Sequence, residues 1–142
     1  FELVGTFKDN VLVYDDYAHH PTEIEATLNS VKNIKCNKNI AVFQSHTYSR
    51  TKEHLEEFAN VLKEFDNVII APIYPAREKN IYNIKETDIT ELIKPYNSNV
   101  WYIDSFDKIV EFLKANAEPN DLIITIGAGP VNEVGLKLLG KK

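Results

Sequence analysis

Short apolar, β-rich runs alternate with helical patterns along almost the whole chain, and this alternation leaves few folds open. Leu3 to Tyr14 predicts a hairpin, two β-rich runs around the turn Lys8-Asp9-Asn10. Further strands are predicted at Ile40–Phe43, Val68–Ala71, Asn99–Ile103 and Leu122–Ile126. Between them lie helical patterns. Ile24, Leu28 and Val31, with Thr27, share one helix face, and Pro21 and Glu23 suit that helix's first turn. Thr51 to Phe65 carries Leu55, Phe58, Ala59, Leu62 and Phe65 at helical spacing and predicts one long helix. Asp88–Ile93 predicts a short helix, Ser105 caps a helix burying Ile109, Phe112 and Leu113, and Gly127-Ala128-Gly129-Pro130 is expected to open a last one. Strands this short between helices imply an α/β fold: a three-layer, mostly parallel, Rossmann-like sheet with helices on both faces and an N-terminal antiparallel hairpin.

In such a sheet the carboxyl ends of the parallel strands share one rim, the usual place for ligands. That rim gathers four segments: Asp15 to His20, Gln44 to Arg50, Tyr74 to Lys79, and Gly127 to Gly129. The chemically capable residues of the chain fall at these four places. The bulk composition narrows their use. A chain of 142 residues is one domain, and a net charge of −5 argues against nucleic acid as a partner. A bound anion must therefore be held by a few placed groups. The single Cys36 excludes an intrachain disulfide and a Cys-rich zinc site. No apolar run reaches the ~20 residues of a membrane span, and no signal peptide is visible. The chain contains no Met and starts at Phe1 inside a strand-like run, which suggests a piece of something longer.

The densest segment is Asp15-Asp16-Tyr17-Ala18-His19-His20-Pro21-Thr22-Glu23-Ile24. Adjacent carboxylates at a strand end point in different directions, so one is expected to face a ligand and the other to cap backbone amides. A carboxylate here suits ribose hydroxyls or a metal held through water. Two consecutive histidines diverge and do not readily share one metal, and no second His or Cys has the local spacing of a zinc site. No metal site is assigned; one histidine is the better candidate for hydrogen bonding or acid–base work. Gln44-Ser45-His46-Thr47-Tyr48-Ser49-Arg50 is a second strand-to-helix corner, where Arg50 and a helix N-terminus offer a place for a carboxylate or phosphate. Arg77 and Lys79 add two cations on the same rim, and Gly127 and Gly129 let the backbone come close to a ligand. Neither a dinucleotide fingerprint nor a P-loop is present, since Asn132 stands where the third glycine of the fingerprint should be.

These segments closely resemble the signatures of the Mur ligase family, in its branch that adds L-alanine to UDP-N-acetylmuramate. The resemblance rests on Asp15 to Ile24, on Phe43 to Arg50, and on Tyr74 to Lys79 and Gly127 to Gly129 in the same order. It covers the whole chain, as the third, C-terminal domain of a three-domain enzyme. It implies that the UDP-sugar domain and the central domain, which carries the P-loop and most of the ATP and Mg²⁺ site, lie outside this chain. It also implies a cytoplasmic bacterial ligase whose partners are ATP, L-alanine, UDP-N-acetylmuramate and its own two other domains. Asp16 is then expected at the nucleotide, Tyr17 near the nucleotide or the reacting groups, and His19, His46 and Arg50 around the alanine, with His19 and Tyr17 the catalytic candidates. Ser45 and Thr47 depart from the family's usual Pro and from the second Arg of some members. Three other readings compete: the related ligase that attaches a recycled peptide, a free-standing metal-dependent hydrolase using Asp15, Asp16, His19 and His20, and a non-catalytic nucleotide-binding module.

Overall fold

The computed structural model describes residues 1–141. Six strands form one sheet in the order β1-β2-β6-β3-β4-β5: Glu2–Phe7, Val11–Asp16, Leu122–Ile126, Asn39–Phe43, Asn67–Ile70 and Val100–Tyr102. The β1–β2 pair is antiparallel and the remaining pairs are parallel. The hairpin turns where expected, with Asp9 and Asn10 both at positive φ (57° and 61°). Short polar side chains tolerate that region better than most.

Strands β3 and β6 are buried along their whole length and β4 from Val68 on, and their apolar side chains divide between two cores. Ala41, Phe43, Val68, Ile70, Ile124 and Ile126 join the core beneath α1 (Pro21–Lys32), α3 (Leu55–Leu62) and α4 (Glu86–Ile93). Ile40, Val42, Ile69 and Ile123 join the opposite core, beneath α5 (Phe106–Asn116) and α6 (Asn132–Leu138). Period-2 alternation with both faces apolar is what makes these runs look continuously hydrophobic in the sequence.

Two helical expectations are revised. The pattern at 51–65 is two helices, α2 (Tyr48–Glu53) and α3, parted at His54, whose backbone sits at φ −112°, ψ 21°. Hydrogen bonds still cross the junction, from His54 N–H to the Arg50 carbonyl (3.0 Å) and from Phe58 N–H to the His54 carbonyl (2.9 Å). The bend coincides with the His54 ring lodged between those of His20 and Phe58, at 4.9 and 6.1 Å. The last helix starts at Asn132, not at the glycines, and has no side-chain cap; Pro130 and Val131 form an intervening turn.

Register levels the strand ends. Asp16 pairs with Ile126, Ile126 with Phe43, and Phe43 with Ile70, so β2, β6, β3 and β4 finish side by side. Every segment that follows them emerges on one rim. At the far end of the sheet, fully buried Asp121 accepts hydrogen bonds from Lys38 Nζ, Asn37 Nδ2 and the Glu118 amide, each at 2.8 Å.

Candidate functional site

The alternation of β2 separates its two terminal carboxylates, as adjacent strand residues require. Asp15 points to the α6 side and accepts the Thr125 hydroxyl at 2.6 Å; burial holds its carboxyl above the ordinary range. Asp16 points to the α1 side. Its Oδ1 accepts the Ala18 amide at 3.0 Å and its Oδ2 the Thr27 hydroxyl at 2.7 Å. That arrangement shapes the turn, and two of the carboxylate's four lone-pair sites remain free. Tyr17 is 69% exposed beside it, and a depression of about 380 Å³ lies between Asp16, Tyr17, Thr27 and Phe1.

The next turn fixes the histidines. Glu23 reaches back and accepts the amides of His19 (3.1 Å) and His20 (3.0 Å), which pulls its carboxyl below the ordinary range. His20 Nδ1 accepts the Thr22 amide at 3.3 Å, completing a capping box at the start of α1. His20 is thus committed to capping. His19 is freer, donating from Nδ1 to the Tyr17 carbonyl at 3.2 Å, its ring 6.3 Å from that of His46.

The corners after β3 and β4 are zipped together. Tyr74 donates its amide to the Ser45 carbonyl (2.9 Å), and Thr47 donates its amide to the Tyr74 carbonyl (2.7 Å). Thr47 then takes φ 69°, ψ 150°, a backbone region that is nearly glycine's alone. The surroundings enforce it. The Thr47 carbonyl accepts both the amide (3.2 Å) and the hydroxyl (2.6 Å) of Thr51, and its hydroxyl accepts the Arg50 amide at 3.4 Å. The start of α2 is taken by the protein itself. Glu78 accepts the Ser49 amide at 2.9 Å and also the Ser49 hydroxyl, contacts that hold its carboxyl below the ordinary range. The helix N-terminus that the sequence offered to an anion is therefore filled, and Arg50 stands as the cation of this corner.

His46 lies over Tyr74, their ring centroids 5.5 Å apart. Desolvation, then the positive charge of Arg50, then His19 keep its pKa below the ordinary 6.5, so the ring is neutral at pH 7. Its Nδ1 and the Oε1 of Gln44, a residue only 4% exposed, are buried without a hydrogen-bond partner among the described residues. Arg50 opens onto a pocket of about 240 Å³ shared with His19, His20, Glu53 and His54. A larger groove of about 430 Å³ runs between α1 and α3, away from the rim.

The glycines have a packing role. A Cβ on Gly129 would lie 2.8 Å from Gln44 Oε1 and 3.0 Å from Tyr74 Cγ, and one on Gly127 would lie 2.8 Å from the Gln44 carbonyl. Arg77 and Lys79 are exposed on the 75–85 loop. The structure thus brings His19, His46 and Arg50 together and sets Asp16 and Tyr17 beside them. Arg77 and Lys79 do not line the pocket onto which Arg50 opens. Sequence reasoning gave no role to Glu78, the strain at Thr47 or the His54 wall of the Arg50 pocket. Each depends on one loop folding back on another, and no local spacing signals that.

The family described as Mur ligase, glutamate ligase domain, matches residues 1–129. The chain belongs to the Mur ligase family. A UDP-N-acetylmuramate–L-alanine ligase from Caldanaerobacter subterraneus subsp. tengcongensis is 50% identical over 139 residues, which are 98% of this chain and 30% of that protein. The chain therefore spans about 30% of the length of the curated relatives it matches. Among solved Mur ligases, the UDP-N-acetylmuramate–alanine ligase of Thermotoga maritima shares the fold, with a TM-score of 0.78 at 20% identity over 99% of this chain and 29% of that one. A domain from a Haemophilus ducreyi protein, a putative UDP-N-acetylmuramate:L-alanyl-γ-D-glutamyl-diaminopimelate ligase, superposes with a TM-score of 0.68 at 25% identity. It covers 98% of this chain and 96% of its own. Among the described residues of this Mur ligase domain, no helix is long and apolar enough to cross a membrane. No group of three or more His, Cys, Asp or Glu side chains is placed to hold a metal ion among them either.

Proposed function

We propose that this chain is the amino-acid-delivering C-terminal domain of a cytoplasmic bacterial ligase that joins L-alanine to UDP-N-acetylmuramate at the expense of ATP. The observation that carries the reading is the convergence of His19, His46 and Arg50 from two separate strand ends onto one rim. A permanent cation beside two imidazoles, one of them held neutral, suits a small amino acid. Arg50 pairs with the α-carboxylate, His46 stays beside it without adding charge, and the His19 imidazole is placed to accept the proton that the α-amine must lose.

In this reading the muramoyl carboxylate receives the γ-phosphoryl group of ATP. The alanine amine then attacks the resulting acyl phosphate, and inorganic phosphate leaves from the tetrahedral intermediate as the amide forms. Mg²⁺, when bound, would neutralise charge on the transferring phosphoryl group; its ligands are assigned to the central domain with the P-loop, and no residue of this chain is assigned to it. Asp16 uses its remaining lone pairs for ribose hydroxyls, and Tyr17, exposed next to it, covers the nucleotide. His19 takes the amine proton, while His46 and Arg50 orient the alanine. Arg77 and Lys79 face the central domain from their exposed loop, and Gly127 and Gly129 keep the rim floor close-packed. Closure of this domain over the central one orients the reactants and excludes water from the acyl phosphate.

The test is L-alanine-dependent ADP release by the full-length protein in the presence of UDP-N-acetylmuramate, with the isolated chain inactive. Turnover with a recycled peptide in place of alanine would identify the peptide-attaching ligase instead. Hydrolysis or tight divalent-metal binding by the isolated chain would favour the hydrolase, and tight ATP binding by it the nucleotide-binding module.

A further inference from the structure

We propose that Glu78 is a positioning residue for the amino-acid site: its carboxylate clamps the entrance of α2 and so sets where Arg50 and His46 stand. The inference rests on the ligase reading and adds a residue to it. Three observations carry it. First, Glu78 comes from the loop after β4 yet reaches the first turn of α2, where it accepts both the amide and the hydroxyl of Ser49, the residue before Arg50. Second, the segment it clamps is under tension. Thr47 is held at φ 69°, ψ 150°, and such a conformation persists only when its neighbours over-determine it. The Tyr74 carbonyl fixes one side of Thr47, and Glu78 fixes the turn that follows. Third, Glu78 has its own anchor, since its amide donates to the Pro75 carbonyl at 2.9 Å and closes a tight turn with Ala76 at positive φ. The clamp therefore ties one short turn to another, and His46 and Arg50 directly flank the segment Thr47 to Ser49 that is fixed at both ends.

Glu78 touches no reacting group in this scheme. By filling the amides at the start of α2 with a carboxylate of the protein itself, it leaves the substrate's carboxylate to Arg50. Losing the clamp frees the strained turn to relax and misaims the guanidinium. Such a loss weakens amino-acid capture and leaves nucleotide use alone.

The experiment is steady-state kinetics of the full-length ligase with Glu78→Ala, Glu78→Gln and Ser49→Ala. Glu78→Ala is expected to raise the KM for the amino acid roughly tenfold, the scale of one charge-assisted hydrogen bond. The KM for ATP should stay unchanged and kcat should fall less than about threefold, a free-energy change under half that of the tenfold effect. Glu78→Gln keeps an acceptor for Ser49 and should recover most of the loss. Ser49→Ala, which removes one of the two donors and leaves the backbone contact, should give a smaller rise in the same parameter. The positioning role is overturned if the amino-acid KM of Glu78→Ala matches wild type, or if all three constants worsen together with the melting temperature. A wild-type protein that does not consume L-alanine would instead defeat the ligase reading itself, so the two failures are distinguishable.

Discussion

Replacing Thr47 by Gly and by Ala should invert the usual order of stability. Gly ordinarily costs about 0.5–1 kcal/mol relative to Ala, because it loses more backbone freedom on folding. At position 47 the native φ of 69° and ψ of 150° penalise any residue with a Cβ, by about 1–3 kcal/mol. Ala keeps that penalty and loses the hydroxyl that accepts the Arg50 amide, a cap loss of about 1 kcal/mol. Gly escapes the penalty and substitutes at a cap for only a few tenths. Thr47 is 9% exposed; both variants forfeit its γ-methyl, which cancels, and Gly forfeits the Cβ as well, at most about 0.8 kcal/mol. The balance favours Gly over Ala, by up to roughly 3 kcal/mol and centrally about 1.5 kcal/mol. For a domain of this size the central value separates the melting temperatures by roughly 4–5 °C. Thermal or urea unfolding of the 142-residue chain and its two variants measures the difference directly. If Thr47→Ala proves as stable as Thr47→Gly, the strained turn does not exist as described, and the account of how Arg50 is held fails with it.

Other outcomes follow from the same geometry. Asp121→Ala removes the acceptor of three hydrogen bonds and the partner of Lys38, so urea unfolding should register a loss of about 3 kcal/mol. Gly129→Ala drives a Cβ into Gln44 and Tyr74 and should cost about 1–3 kcal/mol by overpacking, read from the melting temperature. The depressed pKa of His46 means that the unfolded chain binds its proton first as pH falls below 6.5. The contribution of His46 to stability is therefore present above that value and is lost on acidification. Comparing urea midpoints at pH 7.5 and 5.5, wild type should lose more stability than His46→Gln; equal losses would show that His46 is not held neutral by its surroundings.

How far the sequence alone reached differs between fold and site. The strands at 40–43, 68–71 and 122–126 were legible because burial on both faces leaves an unbroken apolar run. The hairpin was legible because Asp9 and Asn10 suit its turn. The break at His54 was hidden, since the apolar spacing continues through it and the bend arises from His20 and Phe58, far apart in the chain. At the rim, strand ends and chemistry mark the corners at 15–20 and 44–50, and the family resemblance singles out His19, His46 and Arg50 within them; their side chains gather in one place. Strand ends and chemistry also offered the N-terminus of α2 to a ligand, where Glu78 already sits. Asp15 and Asp16 were expected to diverge, and they do; which partner each would find, Thr125 or Thr27, depends on pairing across the sheet and on packing of α1.

In the proposed site Arg50 pairs with the carboxylate of the amino acid. The most direct measurement is the KM for L-alanine of Arg50→Ala in the full-length ligase, determined beside the KM for ATP. Loss of a charge-assisted pair predicts a rise of at least about tenfold for alanine, with the ATP value unchanged. An alanine KM equal to that of wild type would contradict the claim.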